Sequence, residues 1–157
     1  MRSISFKAGV RAMSLLVMLA AAGPGQELQE LSPPSPSAAA VKTLPLDAAT
    51  RLMLTEAIGK RNYTAAENLL AEEATKNPKS QPILLVLANV LFLDGKQLNS
   101  ALVLKKAELL GPLDERSRFL LALSYIAISR KNLAIPELEK LAHANPSNAV
   151  YPYWLSR

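Results

Sequence analysis

From position 47 onward, apolar and small residues recur at steps of three and four, the spacing of one face of a helix. The segments that carry this spacing run about 47–60, 62–76, 81–94, 97–110, 115–129 and 132–144, and each is predicted to be a helix. The pattern then returns 34 positions later. Ala66, Ser100 and Ala134 are small, Leu70, Leu104 and Leu138 are large, and Pro78, Pro112 and Pro146 close the second helix of each pair. Met53-Leu54, Leu87-Ala88 and Leu121-Ala122 occupy one place in the first helices, and Leu155-Ser156 fits it again. Proline disfavours a helical conformation in the residue before it, so Asn77-Pro78, Gly111-Pro112 and Asn145-Pro146 read as turns. Asp47 is a suitable N-cap for the first helix, and Pro136 is placed early in its helix, where a missing N–H costs little.

A fixed period of this length predicts an all-α fold, an α-solenoid of stacked antiparallel helix pairs. The units are about 47–80, 81–114 and 115–148, with a truncated fourth at 149–157. The next proline on the period would fall past Arg157, which predicts that the array continues there. The first helix of the second unit is hydrocarbon from Ile83 to Leu93 except for Asn89, and must be covered on most sides. At about 1.5 Å per residue it is too short to span a bilayer.

The arrangement resembles the tetratricopeptide repeat, a helix–turn–helix module of the same period. The residues that carry the resemblance are Leu87-Ala88, Ser100, Leu104, Ala107 and Pro112 in the second unit. In the third they are Leu121-Ala122, Tyr125, Ala134, Leu138 and Pro146. Leu54 departs from it by being large at a small position, and Thr50 and Arg118 by being polar where the family has a large apolar residue. The family's first helices line a groove that holds partner segments. The resemblance therefore implies a groove formed by Arg51, Thr55 and Ile58, then Leu85, Asn89 and Phe92, then Phe119, Leu123 and Ile126. Tyr153 and Arg157 would begin the next set. Such a groove is largely apolar, with Asn89 as a central amide able to bond a peptide backbone. Clamping of a C-terminal carboxylate is disfavoured, because Gly59, Leu93 and Ala127 stand where a basic residue would help.

The N-terminus is of another kind. Arg2, Lys7 and Arg11 precede an apolar run, Ala12 to Ala22, that ends in small residues, the layout of a secretory signal peptide spanning 1–22. Cleavage is expected after Ala22, or alternatively after Gly25. The run is shorter than a membrane span, although an uncleaved segment could still tether the chain. Residues 23–46, with Ser32-Pro33-Pro34-Ser35-Pro36-Ser37, read as an extended, poorly packed Pro/Ser/Ala-rich linker. Export, periplasmic or secreted, is the expectation.

The signal also changes the charge picture. The chain carries 18 basic and 13 acidic residues, but three of the basic ones lie in the signal, so the remainder is close to neutral. The net charge of +5 therefore gives little support to nucleic-acid binding. Basic residues gather at the turn within each unit, Lys60-Arg61, Lys96 and Arg130-Lys131. Cations near a helix C-terminus complement its dipole, and an acidic partner or anionic surface is the sharper alternative. Catalysis finds no footing. His143 is the sole histidine, there is no cysteine, and neither a metal-ligand set nor a Gly-rich phosphate loop nor G-x-S-x-G occurs.

The residues thus point to a non-catalytic protein–protein interaction scaffold, without cofactor or metal, for a protein or peptide partner. Two alternatives stay open. One is an accessory region of a longer enzyme or cell-envelope assembly protein. The other is a small-ligand or envelope-polymer binder using Phe92, Phe119 and Tyr153.

Overall fold

A computed structural model describes residue 36 and residues 38–157, so the stretch read as a signal peptide lies outside the described residues. The described chain is helical throughout, with no strand. Its elements are α1 (Ala38–Lys42), α2 (Ala48–Gly59), α3 (Tyr63–Lys76), α4 (Gln81–Leu93), α5 (Gln97–Glu108), α6 (Glu115–Ala127), α7 (Lys131–Ala144) and α8 (Val150–Leu155). Consecutive helices pack as pairs, α2 with α3, α4 with α5 and α6 with α7, and each pair also contacts the next. The observed bounds of α2 to α7 fall within two residues of those predicted from spacing.

Local chemistry starts these helices where it does. Asp47 Oδ1 accepts from the Thr50 backbone N–H at 2.9 Å, and its Oδ2 accepts from the Thr50 hydroxyl at 2.6 Å. Asn62 and Asp114 cap α3 and α6 through the N–H groups of Ala65 and Ser117, at 3.2 and 2.8 Å. Each bond satisfies a donor that the first turn leaves without an intrahelical acceptor. The hydroxyl of Thr50 explains its presence at a position where an apolar residue was expected.

The turn inside each pair repeats in its backbone geometry. Arg61, Gly95 and Ser129 adopt positive φ, at 55°, 78° and 60°. The residue after each, Asn62, Lys96 and Arg130, donates its N–H back to the carbonyl of Ala57, Leu91 and Tyr125 at 2.8 Å in all three cases. This is the closure that a left-handed residue gives a helix C-terminus. The period is therefore present in conformation as well as in sequence. Glycine is relaxed at positive φ and serine is not, so Ser129→Gly is expected to stabilise the fold by about 0.5–1 kcal/mol despite the looser unfolded chain. Chemical denaturation with an unchanged m-value checks this.

The turns after α5 and α7 are held by a side chain from the preceding first helix. The Gln81 amide donates to the Gly111 carbonyl at 2.8 Å and to the Ala107 carbonyl at 3.2 Å, closing α5. Glu115, one period later, accepts from the Asn145 amide at 3.2 Å and from the Tyr151 hydroxyl. Pro136 is the sixth residue of α7 rather than part of its first turn, so it withholds one intrahelical bond.

Three clusters of buried side chains follow one another along the chain. The first is centred on Leu54, Leu70, Ile83 and Val90, the second on Leu84, Leu104, Leu120 and Leu121, and the third on Phe119, Leu138, Leu141 and Tyr151. The hydrocarbon helix α4 serves two of them, burying Ile83, Val86, Leu87 and Val90 on one side and Leu84 and Ala88 on the other. Small residues allow the close approach this needs. Ser100 Oγ donates to the Ala88 carbonyl at 2.8 Å, and Ser124 Oγ lies 3.3 Å from Ser100 Oγ, so two buried hydroxyls are paired where the helices meet.

One expectation needs correction. Residues up to 46 were read as an extended, poorly packed linker, but α1 and the turn after it are packed, with Val41, Leu44 and Leu46 only 3%, 2% and 7% exposed. The cause is local. Ala38, Ala39 and Ala40 are strong helix formers, Val41 and Leu44 present an apolar edge, and Pro45 stops the helix from continuing.

Candidate binding groove

The groove positions expected from the spacing divide into three groups. Arg51, Leu85 and Asn89 each border α1 or the turn after it. Arg51 Nη2 donates to the carbonyls of Leu44 and Leu46, at 3.2 and 2.6 Å. Leu85 and Asn89, one turn apart on α4, line a pocket of about 160 Å³. Its other walls include Ala40, Thr43 and Leu44 from α1 and the following turn, Pro82 and Val86 of α4, and Asp114, Arg116 and Ser117 at the start of α6. The floor is apolar and the α6 rim is polar, a layout suited to one apolar side chain with a polar attachment.

Asn89, which lines this pocket, has a buried Oδ1 with no hydrogen-bond partner, and Arg51, outside the pocket but bonded to its wall at Leu44, has a buried Nε in the same condition. Buried polar atoms are ordinarily satisfied, and leaving one bare costs about 1–3 kcal/mol. The oxygen is enclosed, so a partner N–H recovers that cost once the cover over Asn89 moves aside.

Thr55, Phe92 and Ile126 form the second group. Thr55 is exposed, and its hydroxyl donates to the Arg51 carbonyl at 2.8 Å within its own helix. Phe92 is partly buried between the second and third clusters, and Ile126 packs on the third. Ile58 is partly buried against the first.

Phe119 and Leu123 form the third group, and their expected place on an open groove is corrected. They are 7% and 6% exposed, as members of the third cluster. The reason is α8, which packs on α7. Its Tyr151 ring meets Phe119 edge-on, with centroids 5.6 Å apart and planes at 66°. Tyr153 remains exposed and carries the Arg157 guanidinium over its ring at 5.2 Å. Spacing along α6 correctly placed Phe119 and Leu123 on one face. It could not reveal that a helix some 30 residues downstream covers that face.

Residues missed by the sequence reading are those contributed by α1 and its turn, above all Thr43 and Leu44. The Ala38–Val41 run held the only signal for them, and the surrounding serine and proline outweighed it.

The basic turns are partly neutralised. Lys60 pairs with Glu56 at 2.6 Å, and Lys96 bridges Glu67 and Asp94. Hydrogen bonds to these carboxylates, with their charge, hold both ammonium groups above the ordinary lysine range. Lys131 donates to the Arg157 carbonyl at 2.9 Å. An anionic surface would therefore compete with partners already in place. His143 is exposed in the last turn of α7. Among the described residues no three His, Cys, Asp or Glu side chains gather as a metal site, and no helix is long and apolar enough to cross a membrane.

No protein-family model and no curated protein sequence matches this chain.

Proposed function

We propose that this chain is a tetratricopeptide-like scaffold, exported by its N-terminal segment, that binds a segment of a partner protein without catalysing a reaction. The observation that carries the reading is the pocket beside α4, where an apolar floor surrounds a buried amide oxygen with no partner. That combination suits an apolar side chain flanked by a peptide N–H, because an Asn oxygen accepts what a backbone offers. The repeat reading is supported by the positive-φ turns at Arg61, Gly95 and Ser129 and by the matching roles of Gln81 and Glu115. The paired helices of the described residues are compatible with it.

The binding surface is smaller than the spacing alone implies. Leu85 and Asn89 are at its centre, with Arg51 beside it and Phe92 and Ile126 at its margin. Phe119 and Leu123 support the fold beneath it and do not contact the partner.

The test pairs Leu85→Ser with Asn89→Leu in the full chain. Quantitative crosslinking in the exporting compartment is expected to lose the partner by about tenfold or more, the loss of a central anchor. The exposed Leu109→Ser serves as the control and is expected to leave the crosslinks unchanged. Retention of the same crosslinks by the folded double variant sinks the groove reading.

A further inference from the structure

The segment formed by α1 and the turn to Leu46 stands outside the pattern of helix pairs, yet it lies against the residues that line the proposed groove. It is held there by the burial of Val41 and Leu44 and by the two bonds from Arg51 to the carbonyls of Leu44 and Leu46. Its contacts run to α2 and to α4, the first helices of the first two pairs. This strap therefore occupies part of the surface on which a partner would dock.

Its fit is incomplete in three respects. Five residues form too short a helix to be stable in isolation, so α1 depends on the surface beneath it. The pocket of about 160 Å³ stays open between the strap and α4. Arg51 Nε and Asn89 Oδ1, the two buried atoms without partners on this face, lie at the strap's edge. A contact that buries apolar area but leaves a pocket and two bare polar atoms is one that a better-fitting segment can replace.

We infer that the strap is a displaceable occupant of the groove, and that the partner supplies a segment of the same chemistry. That segment is a short apolar helical turn, with two aliphatic side chains three residues apart like Val41 and Leu44. Its main-chain carbonyls then pass to Arg51. A somewhat larger occupant also fills the pocket and brings an N–H to Asn89. The inference rests on the groove reading above and adds the partner's pattern and a built-in competitor. Because the strap is tethered, it competes at an effective concentration on the order of millimolar. The partner's apparent affinity is then reduced by the fraction of chains in which the strap is open.

A labelled synthetic peptide covering residues 36–47 tests this against the full chain and its Val41→Ser/Leu44→Ser variant. The peptide is expected to bind the variant about tenfold or more tightly than the wild type, and to lose that binding when Arg51→Met is added. Equal affinity for both chains overturns the inference, as does no binding to a variant that keeps its helical circular dichroism. If the variant loses its helicity, hydrogen exchange on the wild type decides. Strap amides exchanging about tenfold or more faster than those of α4 support displacement, and exchange in step with α4 overturns it. A concentration-dependent dimer that vanishes in the Val41→Ser/Leu44→Ser variant makes a second copy the occupant and overturns the assignment to a partner. Peptide binding that persists while Leu85→Ser/Asn89→Leu leaves the partner crosslinks unchanged sinks the groove reading but not strap displacement.

Discussion

Leu104→Ala is expected to lower the unfolding free energy by about 3–5 kcal/mol, the upper part of the range for a buried leucine truncated to alanine. Leu104 is fully buried, at 0% exposure, in the middle of the second cluster. It lies on α5, which packs against both α4 and α6. The removed methyl groups leave a void that rigid helices on two sides cannot close, so the lost transfer energy is joined by the cavity cost. Leu138 holds the same place one period later, on α7, and its cluster is completed by the short helix α8. A short terminal element can shift to fill a void more easily than two full helices can. Leu138→Ala is therefore expected to cost about 1–2 kcal/mol less than Leu104→Ala. Equilibrium urea unfolding of both variants checks the order. Because contacts run between neighbouring pairs, loss at the central pair is also expected to weaken coupling between the two ends. That would appear as a broadened transition in Leu104→Ala and a sharper one in Leu138→Ala. Equal costs for the two leucines would mean that the central helix pair is no more constrained than the last.

Much of the fold was legible because its signals are local. Helix period, proline stops and the Asp47 cap each depend on residues within a turn or two, and six helices followed from them. The burial of small positions such as Ala88 and Ser100 was legible too, because the period required it. What the chain concealed depends on neighbours remote in sequence. Tyr151 covers Phe119 across more than 30 residues, and nothing in α6 records that. The strap was hidden for a different reason. It occurs once, so a periodic search passes over it, and its proline-rich flank favours an extended reading. Asn89 shows the division most clearly. Its central position on an apolar helix was evident from spacing, whereas the bare state of its oxygen belongs to the packing around it.

Arg118 illustrates the same point and leads to the second large effect. Its position favours an apolar residue in the resemblance, yet the structure gives the guanidinium two carboxylates. It donates to Glu137 at 2.6 Å and to Glu108 at 3.3 Å, joining α6 to α7 and to α5. Lys140 and Lys105 bind the outer sides of these acids, at 3.2 and 2.5 Å. The Arg118 and Glu137 side chains are only 19% and 9% exposed, so removing either one leaves a largely enclosed charge with one partner in place of two, Glu137 keeping Lys140 and Arg118 keeping Glu108. Glu137→Met or Arg118→Met alone is expected to cost about 1–3 kcal/mol, because the charge left behind keeps one partner. The double variant Arg118→Met/Glu137→Met removes both members of that pair and replaces them with flexible apolar side chains. It is expected to return to within about 1 kcal/mol of the wild type. A double-mutant cycle by urea unfolding measures the coupling directly, and additive single costs would show that the pair does not act as a unit. Acid provides an independent reading through Glu108. The hydrogen bond from Lys105 is the main cause holding its carboxyl below the ordinary 4.5, aided by the charges of Lys105, Arg118 and Lys140 and opposed by burial. A carboxyl with a lowered folded-state pKa contributes stability that is complete above its unfolded value and lost as pH falls through the folded one. The melting temperature of the wild type is therefore expected to fall as pH drops below 4.5, and to fall less steeply in Glu108→Gln. Identical acid limbs for the two proteins would show that Glu108 contributes nothing to this linkage.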